Sequence, residues 1–189
     1  MKRIVLFASG SGTNVENIVR YFQHNPDVTV ATVLTNKRDA KVLDRCKRLN
    51  VSALYFNYPS FYKSDCVLEL LKCQKPDLIV LAGFLLKVPE NIINYFPNKI
   101  INIHPALLPK YGGKGMYGIH VHRAVKENND LETGITIHYV NKHYDEGAII
   151  SQFKTRIAST DTALEIADRV HELEYEHFPR VIERLLLKE

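Results

Sequence analysis

Buried apolar segments alternate with helical patterns along the first half of the chain, and this alternation limits the possible folds more than any other feature. Apolar runs at residues 4–8, 28–35 and 51–56 are each followed by apolar residues at helical spacing. Three successive β-α units imply right-handed crossovers and a parallel sheet. We therefore predict a single-domain α/β protein over residues 1–189, Rossmann-like, with a mostly parallel twisted sheet and helices on both faces.

Three local predictions complete this outline. Residues 59–62 are expected to form a loop, because Pro59 opens the segment. Side chains alternate along residues 133–140, which predicts a strand with one inward face. Either Ile135, Ile137 and Tyr139 face inward, or Thr136 and His138 do. Residues 161–188 are predicted to be helical with Leu164 facing inward, until Pro179 interrupts the helix.

A glycine-rich turn, Ser-Gly-Ser-Gly at residues 9–12, separates the first strand from the first helix. Free N–H groups at a helix start, together with the helix dipole, favour an anion such as phosphate. The turn lacks the third glycine of a dinucleotide fingerprint and the Gly-Lys-Ser/Thr of a P-loop, so a tight turn without a ligand stays open. Thr13 and Glu16 have capping-box spacing. The candidate phosphate-binding residues are Ser11, Gly12, Thr13 and Asn14.

The segment Lys-Ile-Ile-Asn-Ile-His-Pro-Ala-Leu-Leu-Pro at residues 99–109 contains a short apolar strand with polar side chains at its end. Open α/β sheets bind ligands at the carboxyl ends of their strands, which makes Asn102 and His104 candidate catalytic residues. Asp145 lies in an acidic, glycine-terminated turn about forty residues later. An Asn can donate to a developing oxyanion, and a carboxylate can favour the cationic form of a neighbouring His. On position alone, a core role for His104 and a turn role for Asp145 stay open.

The motif Asn-Ile-His-Pro-Ala-Leu-Leu-Pro at residues 102–109, with Asp-Glu-Gly at 145–147, resembles the folate-dependent formyltransferases. The resemblance extends over nearly the whole chain and is greatest to members that act on glycinamide ribonucleotide in purine biosynthesis. It implies transfer of a formyl group from 10-formyltetrahydrofolate by direct attack of the amine. Asn102, His104 and Asp145 would be the catalytic residues. A phosphate-binding half, about 1–98, would precede a folate-binding and catalytic half, about 99–189.

The resemblance also implies binding residues. The loop after the strand at residues 77–83 would contact the pterin, although core packing explains its leucines equally well. Glu174 would contact the ribonucleotide, or else be an exposed helix glutamate, and Lys63 would contact folate, or else be a solvated surface lysine. The Leu108–Pro109 bond is expected to be cis. The implied folate-binding residues are Lys63, Leu85, Leu86, Lys87, Val88 and Asn102.

Composition excludes several classes of function. The net charge of +4 comes from 25 basic and 21 acidic residues that are interspersed, which does not favour a nucleic-acid partner. Three cysteines without a C-x-x-C pair indicate neither a disulfide framework nor a zinc site.

His120 and His122 are two positions apart on a predicted helix and point in different directions, so no metal is expected. No apolar run is long enough to span a membrane, and we expect a cytoplasmic protein with small-molecule substrates, monomeric or homodimeric.

Other functions stay open at this point. A methionyl-tRNA formyltransferase is expected to carry a further C-terminal basic domain, and a formyltetrahydrofolate hydrolase a further N-terminal domain. A sugar-nucleotide formyltransferase would fit the same central motif. A non-catalytic nucleotide- or folate-binding module is the alternative from a different class, although binding alone does not require Asn102, His104 and Asp145 together.

Overall fold

The computed structural model describes residues 1–187, and over these residues it contains seven strands and seven helices. In chain order the elements are β1 Lys2–Phe7, α1 Thr13–Phe22, β2 Val28–Thr35, α2 Lys41–Arg48, β3 Ala53–Tyr55, α3 Tyr58–Tyr62, α4 Cys66–Gln74, β4 Leu78–Leu81, α5 Glu90–Tyr95, β5 Ile100–His104, α6 Ile119–Glu127, β6 Glu132–Tyr139, β7 Ile149–Arg156 and α7 Ala163–Leu187.

The strands form one sheet in the order β3-β2-β1-β4-β5-β6-β7. β1 pairs in parallel with β2 and with β4, and β2 pairs in parallel with β3. β6 and β7 form an antiparallel pair. The predicted fold class, an α/β protein with a mostly parallel sheet, is confirmed.

The chain divides into two compact units. Residues 1–101 and 182–187 form the first unit, and residues 102–181 form the second. The predicted division into a phosphate-binding half and a catalytic half stays a prediction. The predicted ends of the last helix at Lys188 and of the domain at Glu189 lie outside the described residues.

In the first unit, an aromatic core lies beneath two loops. The rings of Phe7 and Phe84 meet edge to face with centroids 5.1 Å apart, and Phe56 and Phe61 lie 4.9 Å apart. All four side chains are buried. Burial of an aromatic side chain contributes about 1.5–3 kcal/mol, so this cluster stabilises the carboxyl ends of β1 and β4.

Residues 58–62 form a helix, so the predicted loop at 59–62 is wrong. The Asn57 side chain caps α3 by accepting a 2.9 Å hydrogen bond from the Ser60 N–H. A proline is tolerated in the first turn of a helix, where its missing N–H has no helical partner in any case. Phe61, within the helix, is buried in the aromatic core.

In the second unit, β6 is buried on both faces, so the prediction of a single inward face is wrong. Ile135 and Ile137 are fully buried, and Thr136 and His138 on the opposite face are at most 2% exposed. The strand lies inside the sheet, between β5 and β7. Alternation predicts one exposed face only for a sheet covered on one side.

The last helix continues through Pro179, so the predicted interruption is wrong. A proline inside a helix costs about 3 kcal/mol. Its neighbours Phe178 and Val181 are buried, and the burial of such side chains offsets a cost of this size. Leu164, predicted to face inward, is 68% exposed. Within the described chain, none of the helices is both long enough and apolar enough to cross a membrane.

Candidate active site

The glycine-rich turn connects β1 to α1, and Gly12 is the residue that requires glycine. Gly12 is the N-cap of α1 with a φ of 75°, in the left-handed region. A Cβ there would lie 2.4 Å from Cγ2 of Val42. Because Gly12 caps the helix, the predicted Thr13–Glu16 capping box is wrong. The Glu16 carboxylate instead accepts hydrogen bonds from Arg20 and pairs with Arg45.

Three consecutive carbonyl groups of this turn accept hydrogen bonds. Gly10 O accepts from Val42 N at 3.2 Å, and Gly12 O accepts from Glu16 N at 2.9 Å. Ser11 O accepts from Nε of Arg45 at 2.7 Å. In a trans peptide the N–H points away from the carbonyl, so the N–H groups that follow these carbonyls point away from the three donors. Successive N–H groups arranged in this way form an anion-binding nest.

The predicted phosphate-binding residues differ in exposure. Ser11 is exposed and Thr13 is half-buried, whereas Asn14 is 8% exposed. Gly12 is buried as well, so Ser11 and Thr13 are the accessible residues of the loop.

The loop after β4 carries four of the predicted folate-binding residues. Leu85 N–H donates a 2.9 Å hydrogen bond to the Ser9 hydroxyl, and Lys87 O accepts a 2.6 Å hydrogen bond from the Tyr62 hydroxyl. Leu85 is 42% exposed and Val88 is 6% exposed. Leu86 and Lys87 are half-buried. Leu85 is thus available to a ligand, and Val88 belongs to the core.

Lys63 follows Tyr62 directly and is exposed. The hydroxyl of the preceding residue, Tyr62, binds the Lys87 carbonyl, and this is the contact between the segment before Lys63 and the loop that contains Leu85–Val88.

Asn102 and His104 lie on β5, two positions apart, so their side chains point to the same face of the strand. Nδ1 of His104 is 3.6 Å from Oδ2 of Asp145. Asp145 comes from the turn between β6 and β7 and has a φ of 54°, a conformation that Asp adopts more readily than most residues. The structure therefore brings the predicted His and Asp together.

His138, on β6, connects Asn102 to Asp145 and was missed in the sequence. Its Nε2 lies 3.1 Å from Nδ2 of Asn102 and 3.6 Å from Oδ1 of Asp145. Its Nδ1 lies 2.9 Å from the Tyr139 carbonyl oxygen, which can only accept, so Nδ1 carries a hydrogen. Nε2 thus lies within reach of both the Asn102 amide and the Asp145 carboxylate, so His138 helps to position both groups. The sequence could have indicated His138 only through a prediction that β6 lies next to β5, the strand that carries Asn102.

The loop after β5 contacts both catalytic candidates. Nε2 of His104 donates a 2.7 Å hydrogen bond to the Tyr111 carbonyl, and Gly113 N–H donates a 2.9 Å hydrogen bond to Oδ2 of Asp145. His104 is only 3% exposed. The Leu108–Pro109 bond is cis, as predicted. In this conformation Nε2 of His104 is therefore engaged by the Tyr111 carbonyl.

Burial lowers the pKa of His104 below its ordinary value, although Asp145 and the Tyr111 carbonyl oppose this effect. Asp145 thus favours the cationic form of His104, as expected, and burial outweighs this effect in the present conformation. Burial raises the pKa of Asp145, but His138, the charge of His104 and the Gly113 N–H outweigh it, and the net shift is downward. Asp145 is therefore ionised at neutral pH, and His104 is mainly neutral with its hydrogen on Nε2.

Glu174, on α7, is 6% exposed. The alternative interpretation as an exposed helix glutamate is therefore wrong, and a buried carboxylate on this helix requires a polar environment. His122 on α6 is buried and His120 is exposed. In residues 1–187, no three His, Cys, Asp or Glu side chains are grouped so as to hold a metal ion.

Comparisons with known proteins place the chain in a family. Residues 2–182 match the family model described as formyl transferase. The chain is 36% identical to the chloroplastic phosphoribosylglycinamide formyltransferase of Arabidopsis thaliana, over 96% of this chain and 64% of that protein. It is 35% identical to phosphoribosylglycinamide formyltransferase of Bacillus subtilis, over 98% of this chain and 95% of that protein.

A solved structure gives the same result. Glycinamide ribonucleotide transformylase 1 from Symbiobacterium toebii superposes with a TM-score of 0.89 at 32% identity, and the match covers 98% of this chain and 88% of that one. The sequence match and the superposition both extend over nearly the whole described chain. This chain belongs to the formyl transferase family.

Proposed function

We propose that this protein transfers the formyl group of 10-formyltetrahydrofolate to the amine of glycinamide ribonucleotide, a step of purine biosynthesis. One observation carries the proposal. His104 and Asp145 lie 3.6 Å apart, and His138 connects Asp145 to Asn102. The Bacillus subtilis relative, which matches nearly the whole chain, is named for this activity. A binding module does not require a neutral imidazole beside an ionised carboxylate.

Asp145 acts on the attacking amine. As the amine bonds to the formyl carbon, its nitrogen becomes positively charged, and an ionised carboxylate nearby stabilises that charge. The carboxylate then accepts the proton and passes it, directly or through water, to the leaving nitrogen. The low pKa of Asp145 keeps the carboxylate ionised and ready for the first of these steps.

Asn102 and His104 act on the formyl oxygen. The Asn102 amide, oriented by His138, donates one N–H to the oxyanion that develops there. His104 donates Nε2–H to the same oxygen after the Tyr111 carbonyl releases it. Preorganised donors of this kind each contribute about 10²- to 10³-fold to turnover. In this proposal a neutral His104 serves as a donor.

Binding is assigned to separate parts of the chain. The Ser11–Asn14 loop, in the first half, would bind the ribonucleotide phosphate with its N–H groups, and Glu174 would contact the same substrate. Lys63 and residues 85–88 would bind the formyl-folate donor, which supplies the formyl group. The exposed Leu85 side chain and the backbone held by Ser9 and Tyr62 suit a flat, partly apolar ring. Asn102 would contact the donor near its formyl group.

The test is the absorbance change when 10-formyltetrahydrofolate becomes tetrahydrofolate, measured with and without glycinamide ribonucleotide. We expect turnover only when the ribonucleotide is present, with one formylated product per tetrahydrofolate. Turnover without the ribonucleotide would identify a hydrolase. If neither mixture turns over, the assay should be repeated with a sugar-nucleotide amine, and activity there would replace the proposed acceptor.

A further inference from the structure

Arg45, on α2, contacts the glycine-rich turn from the side opposite its N–H groups. Its Nε donates a 2.7 Å hydrogen bond to the carbonyl oxygen of Ser11, and its Nη1 pairs with the Glu16 carboxylate. We infer that Arg45 is a positioning residue, which holds the Ser11–Gly12 peptide so that its N–H faces the substrate phosphate. This inference rests on the proposed role of the loop in ribonucleotide binding.

Peptide geometry explains how a contact at a carbonyl controls binding on the other side. The carbonyl and the N–H of a trans peptide point in opposite directions. Since Arg45 holds the Ser11 carbonyl, the Gly12 N–H points away from α2. Val42, also on α2, holds the Gly10 carbonyl in the same way, so the Ser11 N–H points away from α2 too. Both donors of the nest are thus oriented from one helix.

The contact of Arg45 with Glu16 indicates that Arg45 orients the peptide rather than attracting the phosphate by its charge. Arg20 and Arg45 lower the pKa of Glu16, so the Glu16 carboxylate is ionised and offsets the charge of Arg45. A planar guanidinium donates in two directions at once, to the carboxylate and to the carbonyl, whereas a lysine offers a single charged centre. Arg45 therefore acts mainly by fixing a peptide plane. Arg20 shares the Glu16 partner through an i, i+4 pair and provides a matched control.

The test compares Arg45→Met and Arg45→Lys with Arg20→Met. Inorganic phosphate is titrated into each protein while the backbone N–H resonance of Gly12 is followed by NMR. We expect Arg45→Met to weaken phosphate binding about tenfold or more, which is the value of a charge-assisted hydrogen bond. Arg45→Lys should lose nearly as much, because it keeps the charge beside Glu16 and lacks Nε. Arg20→Met should stay within about twofold of the wild type.

Steady-state kinetics provide a second readout. Arg45→Met should raise the KM for glycinamide ribonucleotide about tenfold and leave the KM for the folate donor within about twofold, a difference that general destabilisation would not produce.

Each other outcome is decisive. Wild-type binding in Arg45→Lys would overturn the inference, even if Arg45→Met fails to fold. An equal loss in Arg20→Met would assign the effect to the charge of Glu16 and would also overturn it. If wild-type protein binds phosphate and turns over but Arg45→Met matches it, only the role of Arg45 fails. If wild-type protein gives no Gly12 shift, the phosphate assignment of the loop fails as well.

Discussion

The glycine-rich turn and the Asn102–His104–Asp145 site use different parts of the polypeptide. The turn presents backbone N–H groups, which are oriented by hydrogen bonds to the carbonyls of Gly10, Ser11 and Gly12. The second site presents side chains from two neighbouring strands and one turn. A backbone site depends on conformation and on the space around a glycine, whereas a side-chain site depends on the identity of a few functional groups.

This difference predicts which kinetic constant each region controls. Changes in the turn should raise the KM for the ribonucleotide, because the turn binds a part of the substrate that does not react. Changes in the side-chain site should lower kcat, because its groups act on charge that develops in the transition state. The predictions below test this separation.

The largest effect is expected at the side-chain site. His104→Ala and Asp145→Asn should each lower kcat about 10²-fold or more, because each removes a group that stabilises developing charge. The KM for the ribonucleotide should change by less than about threefold. Steady-state kinetics on purified variants, with circular dichroism to verify the fold, measure both constants. Nearly full turnover in either variant would contradict the role assigned to that residue.

The next effect is expected at Gly12. Gly12→Ala places a Cβ 2.4 Å from the Val42 side chain at a φ of 75°, and the crowding and the left-handed strain should together lower the free energy of unfolding by about 2–5 kcal/mol. The KM for the ribonucleotide should rise while kcat at saturation is largely retained. Denaturant unfolding and kinetics provide the two measurements.

Gly10→Ala is the matched control for this substitution. A Cβ at Gly10 meets no atom within 4 Å, and its φ is outside the left-handed region. Stability should therefore change by less than about 1 kcal/mol. Val42→Ala should rescue Gly12→Ala only slightly, because it removes the contact with Cγ2 but leaves Cβ of residue 42 at 2.7 Å from the added Cβ, together with the backbone strain. Equal losses in Gly10→Ala and Gly12→Ala would show that the turn does not depend on this geometry.

The two regions also differ in how far the sequence predicted them. Residues 11–14 are contiguous, so a local pattern was enough to locate the turn, although the role of Arg45 depends on the packing of α2. Asn102 and His104 were found because they are polar residues at the carboxyl end of an apolar strand, where open α/β sheets bind ligands. His138 was missed because β6 was assigned a solvent face, and only the position of the strand between β5 and β7 shows that His138 is buried.

The errors in the fold have related causes. Local rules predicted a loop at Pro59 and a break in the last helix at Pro179. Each of these segments contributes a buried aromatic side chain, Phe61 near Pro59 and Phe178 beside Pro179. Burial of such side chains outweighs a lost backbone hydrogen bond. The effect of Asp145 on His104 could be predicted from the sequence, but the burial that exceeds it and lowers the pKa of His104 could not.

His138→Gln should have an intermediate effect, near tenfold on kcat, because it disturbs the orientation of Asn102 without removing a group that touches the substrate. It should also change the pH profile. His138 lowers the pKa of Asp145, so its loss raises that pKa. Activity that requires the ionised carboxylate then begins to fall at a higher pH as the solution is acidified. An acid limb at the wild-type position would show that His138 does not act through Asp145.

The smallest effect is expected in the loop after β4, where the two interpretations of its apolar side chains can be separated. Leu85→Ala should raise the KM for the folate donor about three- to tenfold and leave stability nearly unchanged, because the side chain is 42% exposed and its loss removes about 1 kcal/mol of apolar contact with the ligand. Val88→Ala should do the reverse, since Val88 is 6% exposed: we expect a loss of about 1–3 kcal/mol in unfolding free energy with little change in that KM. Folate-dependent kinetics and thermal unfolding on both variants measure the contrast. An unchanged KM in Leu85→Ala would leave Lys63 and the loop backbone as the candidate folate contacts, because the exposed leucine would then contribute nothing to binding.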